Sequence, residues 1–277
     1  MPLINLHDIT MKFLLTLSID SAKHGNCLPL NYQYEISSFI YATLSRADTQ
    51  YNHWLHENGF TVDKKGFRLF SFSNFILSNF TTKLDRVHLN ASKCGLVISF
   101  LPTKSTPEFI RSVFLNLPFS IGDQQSKVAF EVTEIEALTP PDFNKPCEFV
   151  TLSPVCITRK AAESGKLIYE SPENPCACGA LLLNLKNKYN AFYGSDYEGD
   201  STFELKLLNE PRSKLIAIQN HTAQQRRIKG YNFSFEVQAH PALLHLMYEC
   251  GLGDKNTLGF GAVETKENIK LIRGKLK

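Results

Sequence analysis

The sequence predicts an α+β protein with two ferredoxin-like (RRM-like) domains in tandem, each with antiparallel β-α-β-β-α-β order. A similar succession of strand-like and helix-like segments occurs twice in the 277 residues, and the proline-punctuated stretch Pro140–Pro146 separates the two occurrences. With 43% hydrophobic and 21% charged residues, the chain can bury a sizeable core. We therefore expect an N-terminal domain over residues 11–139 and a C-terminal domain over residues 147–270.

The elements of the first domain follow from the spacing of its apolar residues. Tyr34–Arg46 has apolar residues at helical spacing on one face, whereas Val128–Leu138 alternates apolar and polar residues as a half-buried strand does. The predicted strands are Met11–Ser18, Gly66–Phe72, Cys94–Leu101 and Val128–Leu138, and the predicted helices are Tyr34–Arg46, Asp48–Glu57 and Pro107–Leu117.

The second domain repeats this order. Pro241–Cys250 has proline in its first turn and is followed by glycine, as is typical of the two ends of a helix. The predicted strands are Phe149–Thr158, its short hairpin partner Lys166–Tyr169, Phe203–Leu208, Leu215–Ile218, Tyr231–Gln238 and Phe260–Glu264, and the predicted helices are Gly179–Tyr193 and Pro241–Cys250.

Composition limits the classes of function. The net charge is only +3, so a preference for an anionic partner requires local clustering of basic residues. The seven cysteines are scattered and odd in number, which favours reduced thiols in the cytoplasm over disulfides. A zinc site is the alternative, but the closest pair, Cys176 and Cys178, lacks C-x-x-C spacing. Met1–Asp8 has no signal-peptide character, and no apolar run reaches the ~20 residues of a membrane span.

Basic residues concentrate between residues 211 and 235. This window contains no Asp or Glu, yet it holds Arg212, Lys214, Arg226, Arg227 and Lys229. Such a window suits a polyanion, because neutralised phosphates release condensed counterions. Sheets of ferredoxin-like domains commonly bind RNA, so RNA is the favoured partner, with DNA still open. A solvated surface hairpin is the alternative.

Four glycines stand within eleven residues near the C-terminus, in Gly251-Leu-Gly253 and Gly259-Phe-Gly261. Glycine permits positive φ and close backbone approach, which indicates a shaped loop. It is not a nucleotide loop, because G-x-x-x-x-G-K-[ST] is absent and no further glycine follows Gly253 at dinucleotide-fingerprint spacing.

This ending, Tyr248–Val263, resembles the C-terminal glycine-loop signature of the CRISPR RNA-processing endoribonucleases, the Cas-six family. Phe149-Val-Thr-Leu-Ser-Pro154 resembles the opening of the second half in such proteins, and Leu28–Tyr34 followed by Ile40-Tyr41 adds a match in the first half. The resemblance extends from about Met11 to Glu264.

The resemblance implies cleavage of CRISPR precursor RNA within its repeats, with no metal and no cofactor. The ribose 2′-hydroxyl attacks the adjacent phosphate and leaves a 2′,3′-cyclic phosphate and a 5′-hydroxyl. The implied partner is CRISPR repeat RNA, as precursor and as processed guide RNA. Subunits of a CRISPR effector complex and a second copy of the chain are further partners that stay open, as does a non-catalytic RNA-binding role in such a complex.

The resemblance also implies site residues. Tyr41 matches the family's catalytic tyrosine and His56 its histidine, while Arg68 stands at the position of its lysine. Arginine can stabilise the transition state but cannot give up a proton. Each catalytic assignment has an alternative. Tyr41 could be a core residue, and His56 could serve only to satisfy the last carbonyls of a helix. His53, one turn earlier, could take the catalytic role in place of His56.

Binding of the RNA backbone is assigned to the basic window and to the glycine loop. The loop could donate backbone N–H groups to phosphates, and the alternative is a purely structural turn between helix and strand. The predicted RNA-binding residues are Arg226, Arg227, Lys229, Gly251, Gly253, Lys255, Asn256, Gly259 and Gly261.

Overall fold

The structure is a computed structural model that describes residues 11–47, 60–62, 65–67, 70–101, 107–161, 164–218 and 225–277. Its N-terminal half is built on a five-stranded antiparallel sheet. The elements of this half are β1 (Lys12–Asp20), α1 (Ser21–His24), β2 (Cys27–Pro29), α2 (Gln33–Ala47), β3 (Phe60–Val62), β4 (Lys65–Phe67), β5 (Phe70–Phe72), β6 (Phe80–Lys83), β7 (Arg86–Leu89), β8 (Lys93–Phe100), α3 (Pro107–Phe114), β9 (Pro118–Gly122) and β10 (Lys127–Ala137).

Side-chain alternation explains why β1 lies at the centre of this sheet. Phe13, Leu15 and Leu17 point to one face, where they are fully buried in the same core as the apolar residues of α2 and α3. β1 pairs antiparallel with both β8 and β10, and β5 pairs with β8. The strand order is therefore β5-β8-β1-β10-β9.

The C-terminal half is built on a four-stranded sheet with the order β14-β17-β11-β18. Its helices cover one face of the sheet, around a core that contains Phe149, Phe235 and Val237. The elements are β11 (Cys147–Thr151), β12 (Thr158–Lys160), β13 (Leu167–Tyr169), α4 (Cys176–Tyr193), β14 (Phe203–Leu207), β15 (Arg212–Ile218), β16 (Arg226–Asn232), β17 (Ser234–Ala239), α5 (Pro241–Cys250), a 3₁₀ turn (Asn256–Leu258), β18 (Val263–Thr265) and α6 (Lys266–Lys275).

The two halves share one topology. β5, β8, β1 and β10 of the first sheet correspond to β14, β17, β11 and β18 of the second, which is the ferredoxin-like strand order. Each half also inserts a hairpin between its second and third strands, β6–β7 in the first and β15–β16 in the second. The prediction of an α+β protein with tandem ferredoxin-like folds is confirmed.

Most predicted elements are found, with corrections at particular positions. The predicted strand Phe149–Thr158 is wrong as one element, because β11 ends at Thr151 and the next strand begins only at Thr158. Between them the chain forms isolated bridges, from Val155 to Tyr231 and from Cys156 to Asp254. The strand Tyr231–Gln238 is also divided, since Phe233 separates β16 from β17, which belong to different sheets. The helix Asp48–Glu57 lies outside the described residues, whereas α6 and the hairpin β6–β7 were not predicted.

Buried ionisable groups join the two halves. The Lys12 ammonium donates to the carbonyls of Tyr248 at 3.1 Å and Val263 at 2.5 Å, and it lies 3.6 Å from the Glu264 carboxylate. The Tyr248 hydroxyl donates to the same carboxylate. Burial raises the pKa of the neighbouring Glu249 to about 8, although the positive charge of Lys12 opposes the shift. Burial also lowers the pKa of Lys12.

Helix α6 adds a second connection between the halves. Lys266 pairs with Glu148 on the C-terminal sheet, and Lys275 pairs with Glu136 on the N-terminal sheet. Two apolar residues of α6 and the residue that follows the helix pack against the face of the N-terminal sheet that α2 and α3 leave open: Ile269, Ile272 and Leu276, in one cluster with Leu14, Ile76 and Val97.

All seven cysteines lie in the described residues and are free thiols. Cys94, Cys147, Cys156 and Cys250 are buried, which confirms that several of them are small core residues. Within the described parts of the chain, no helix combines the length and apolar character needed to cross a bilayer.

Candidate nucleic-acid interface

The glycine loop, residues 251–261, ends helix α5 in a conformation that only glycine adopts easily. Gly251, Gly253, Gly259 and Gly261 all have φ between 72° and 86°. A Cβ on Gly253 would lie 2.4 Å from the carbonyl oxygen of Cys156, and one on Gly261 would lie 2.0 Å from that of Leu252. The loop therefore needs glycine for close approach as well as for backbone conformation.

Asn256 holds the loop from the inside. Its side-chain amide donates to the carbonyls of Leu252 at 3.3 Å and Phe260 at 3.1 Å, and the residue is 7% exposed. Gly251 and Gly261 leave room for this amide, since a Cβ on either would lie within 2.7 Å of its nitrogen. These contacts give Asn256 a structural role, and its predicted contact with RNA stays a prediction.

Several backbone N–H groups of the loop are already engaged. Those of Gly251, Gly259 and Gly261 donate to carbonyls of Met247, Asn256 and Pro154. These three amides can therefore bind a phosphate only at the expense of an internal hydrogen bond. Among the loop residues assigned to RNA, Lys255 is the exposed cation, and its φ of 63° is unusual for a residue with a side chain.

The glycine loop also contacts the N-terminal half. The Ser37 hydroxyl on α2 donates to the carbonyl of Thr257 at 2.6 Å. A Cβ on Gly259 would lie 2.9 Å from the side chain of Gln33 and 3.0 Å from that of Phe72. The loop thus fixes the helix that carries the predicted catalytic tyrosine.

Tyr41 lies one turn after Ser37 on α2. It is half-buried, and its ring meets that of Phe70 edge to face with 5.2 Å between centroids. This packing agrees with the core interpretation, while the partial exposure leaves a catalytic role open. Its predicted partners His56 and Arg68, and the rival His53, lie outside the described residues.

The five lysine and arginine residues of the basic window lie on two paired strands, β15 and β16. β15 and β16 pair antiparallel, with Leu215 opposite Lys229 and Ala217 opposite Arg227. Because alternate residues of a strand point to the same face, Arg227 and Lys229 project from the same side of β16. Arg226 and Arg227 are exposed, and the Lys229 ammonium lies 5.3 Å from the centroid of the Tyr231 ring.

The other face of this hairpin anchors it to the glycine loop. Ile216, Ile218 and Ile228 are buried in one cluster with Phe260 of the loop. A Cβ on Gly230 would lie 3.1 Å from the Phe260 ring, so the hairpin and the loop are in close contact. The two segments assigned to RNA from the sequence therefore form one continuous part of the surface.

The sheets themselves are less suited to RNA than their fold class suggests. On the C-terminal sheet, Glu148 and Lys206 both face Glu236 across neighbouring strands, and Glu204 faces Gln238, so three carboxylates share the face opposite the helices. Lys206 and Lys266, which pairs with Glu148, offset two of these negative charges, so the face has no excess of positive charge to attract a polyanion. The corresponding face of the N-terminal sheet is largely covered by α6 and by the contacts of Lys12.

Another cation of the C-terminal half was missed in the sequence. Lys188 on α4 is 2% exposed, and its ammonium donates to the carbonyls of Gly251 at 2.6 Å and Gly253 at 3.0 Å. Its position three residues after Leu185, on the apolar stripe of the helix, was the available signal. Among the described residues, no group of three or more His, Cys, Asp and Glu side chains could hold a metal ion.

Family models match both halves of the chain. The model described as "CRISPR-associated protein Cas6, N-terminal" matches residues 27–136, and the one described as "CRISPR associated protein Cas6, C-terminal" matches residues 138–265. Two curated relatives match along most of their length. The CRISPR-associated endoribonuclease Cas6 1 of Methanocaldococcus jannaschii is 28% identical over 90% of this chain and 92% of its own. The CRISPR-associated endoribonuclease Cas6 of Pyrococcus furiosus is 25% identical over 93% and 91%.

Solved structures agree with these matches. A structure of a CRISPR associated protein Cas6 is 27% identical and superposes with a TM-score of 0.70, covering 92% of this chain and 99% of its own. A structure of "an RAMP protein binding different RNA substrates" is 23% identical and has a TM-score of 0.73 over 92% and 99%, which supports the fold. Both domain matches, the relatives and the shared architecture place this chain in the Cas6 family of CRISPR-associated proteins.

Proposed function

We propose that the protein is an endoribonuclease that binds CRISPR precursor RNA and cuts it within its repeats, without a metal, to give mature guide RNAs. The observation that carries this proposal is the exposed, acid-free hairpin β15–β16, which packs on the glycine loop while the loop contacts the helix of Tyr41. The two curated relatives named as CRISPR-associated endoribonucleases support the same activity. The site of action is the cytoplasm.

The reaction needs three roles. The 2′-oxygen forms a bond to phosphorus as the bond from phosphorus to the 5′-oxygen breaks; a base takes the 2′-proton and an acid protonates the leaving oxygen. His56 is assigned to proton transfer because imidazole titrates near neutral pH. Tyr41 is the second candidate for proton transfer. Arg68 stabilises charge on the phosphorane, since its guanidinium keeps its proton.

The RNA backbone lies along the basic hairpin in this proposal. Arg226, Arg227 and Lys229 neutralise phosphates, and Lys255 extends the positive surface onto the glycine loop. Gly251, Gly253, Asn256, Gly259 and Gly261 act mainly by giving the loop its shape, in agreement with their internal contacts.

Cleavage of labelled cognate repeat RNA in EDTA tests the activity. We expect a single cut, which leaves a 2′,3′-cyclic phosphate on one product and a 5′-hydroxyl on the other. His56→Ala should slow cleavage sharply while RNA binding survives. His53→Ala tests the alternative assignment and should leave the cleavage rate near that of the wild type. Uncut RNA with the wild-type protein, or full activity in His56→Ala, would contradict the assignment.

A non-catalytic RNA-binding subunit of a CRISPR effector complex is the second candidate. The presence of His56 at the matching position favours the enzyme. A single 2′-deoxy nucleotide at the cleavage site discriminates between the two, because it must abolish attack by the 2′-hydroxyl and should leave simple binding nearly unchanged. Association with effector subunits and formation of a homodimer are predictions that light scattering, with and without RNA, can test.

A further inference from the structure

We propose that Lys188 is a positioning residue, whose buried ammonium holds the glycine loop in place against α2 and thereby sets the position of Tyr41 relative to bound RNA. The inference rests on the proposed function, because the position of Tyr41 matters only if the protein cuts RNA. It adds a residue in the C-terminal half that acts on the reaction without touching it.

The ammonium group of Lys188 lies where α5 ends and the glycine loop begins. Lys188 lies on α4 and reaches the end of α5, where it donates to the carbonyls of Gly251 at 2.6 Å and Gly253 at 3.0 Å. Carbonyls at the C-terminal end of a helix carry partial negative charge, which favours a cation there. Burial of an ammonium at 2% exposure costs free energy unless such partners are present. Lys188 therefore specifies one arrangement of the loop.

The glycine loop is held both by its own side chains and by α4. Asn256 ties both arms of the loop together from inside, and Asp254 is fixed by Thr158 at 2.6 Å and by Asn184 at 3.1 Å. Asn184 and Lys188 lie one turn apart on α4. The same helix thus holds the loop at two points, so a displacement at Gly251 is carried along the loop.

The glycine loop in turn contacts the N-terminal half through Ser37. The carbonyl of Thr257 accepts the Ser37 hydroxyl at 2.6 Å, and Ser37 is 3% exposed. Tyr41 follows Ser37 by four residues, which is one helical turn of about 5–6 Å. The contacts thus run without a gap from Lys188 through the loop and Ser37 to the turn of α2 that holds Tyr41.

The test compares Lys188→Met with Lys186→Met. Methionine keeps the length of lysine without its charge, and Lys186 lies on the same helix but donates to Ser201, away from the glycine loop. Lys188→Met should reduce the single-turnover cleavage rate roughly 10- to 100-fold, since small misplacement of a reacting group is costly. The Kd for a repeat RNA with a 2′-deoxy cleavage site should change less than about threefold. Lys186→Met should match the wild type in both.

A double-mutant cycle separates positioning from a general loss of structure. Ser37→Ala removes only one hydroxyl, so it should fold and should lower the cleavage rate less than Lys188→Met does. If the two substitutions act through the same contacts, the double variant will cleave faster than expected from multiplying the two single reductions in cleavage rate. Ser37→Ala also tests the contact path should Lys188→Met not fold.

Three results would overturn the inference: wild-type cleavage by Lys188→Met or by Ser37→Ala, effects that simply multiply, or a loss confined to RNA affinity. A wild-type protein that does not cut cognate RNA would instead refute the proposed function.

Discussion

The two halves insert a hairpin at the same point of the same topology, yet the two hairpins differ in how their charge is neutralised. In β6–β7, the Arg86 side chain is 14% exposed and bonded to Asp123, with Asp85 also within 3.6 Å. In β15–β16, Arg226 and Arg227 are exposed in a window that contains no carboxylate. The two hairpins therefore share a position in the topology, but only the one with unneutralised positive charge is a candidate for binding RNA.

The junction between the second helix and the last strands differs in the same way. In the N-terminal half, α3 turns through the exposed Asn116, whose φ is 58°, into the additional edge strand β9, which precedes β10. In the C-terminal half, α5 leads into β18 through the glycine loop, which contacts both halves. The first half thus uses an edge strand in this connection, whereas the second half uses a loop that contacts both halves.

We expect the largest effect on stability from adding a side chain to a glycine of the glycine loop. Gly261→Ala should lower the free energy of unfolding by about 3 kcal/mol, because its Cβ would meet the Leu252 carbonyl and φ is positive. Asn116→Ala, at the corresponding junction, should cost about 1 kcal/mol or less. Urea denaturation measures both. Equal losses at the two positions would show that the junctions do not differ in packing.

The next effect distinguishes the hairpins. Joint replacement of Arg226, Arg227 and Lys229 by alanine should raise the Kd for repeat RNA roughly 10- to 100-fold and lower its log–log salt slope by about 2. Filter binding at several salt concentrations measures this change. Lys83→Ala, at an exposed position of β6, is the control and should change neither quantity. An unchanged salt slope in the triple variant would show that the RNA backbone binds elsewhere on the protein.

A smaller effect concerns the buried charges where the halves meet. Glu249 has a pKa of about 8 when folded against an ordinary value of 4.5, so between these values the folded state holds a proton that the unfolded state has lost. Stability from this group therefore falls as pH rises from about 4.5 to 8. Glu249→Gln should reduce that loss by roughly 1–3 kcal/mol between pH 5 and pH 8. The free energy of unfolding of both proteins is measured by denaturation across this pH range. If it changes by the same amount in both, the raised pKa of Glu249 is refuted.

The smallest effect tests the neutralised hairpin. Arg86→Met removes bonds to Asp123, Ser126 and Gln125 that are partly open to solvent, so the cost should be about 1 kcal/mol of stability. RNA affinity should stay the same. A marked loss of RNA binding with unchanged stability would mean that β6–β7 shares the role assigned to β15–β16.

The sequence predicted best what periodic burial dictates. α2 was found because its apolar residues repeat at helical spacing, and α5 because proline and glycine mark its two ends. The tandem topology followed from the order of such segments. β6 was missed because all four of its residues are exposed, which removes any alternation. The strand Tyr231–Gln238 appeared continuous because nothing in its side chains marks the change of sheet at Phe233.

The candidate site was predicted only where chemistry concentrates in a short window. The absence of acidic residues around Arg226 and the spacing of the four glycines are local signals. The contacts that hold the loop are not local. Lys188 lies 63 residues before its partner Gly251, and Ser37 lies 220 residues before its partner Thr257. Such pairs depend on the packing of whole helices, which no short segment encodes.

The buried ammonium of Lys12 has a consequence for how the chain folds. Its hydrogen bonds join residues separated by 236 and 251 positions, almost the whole length of the chain. Contacts at such separation require a large loop to close, which slows folding. The first strand therefore completes its polar contacts only when the last strand arrives. Two halves that look like independent domains in topology are thus interlocked end to end, and we expect them to unfold in one cooperative transition.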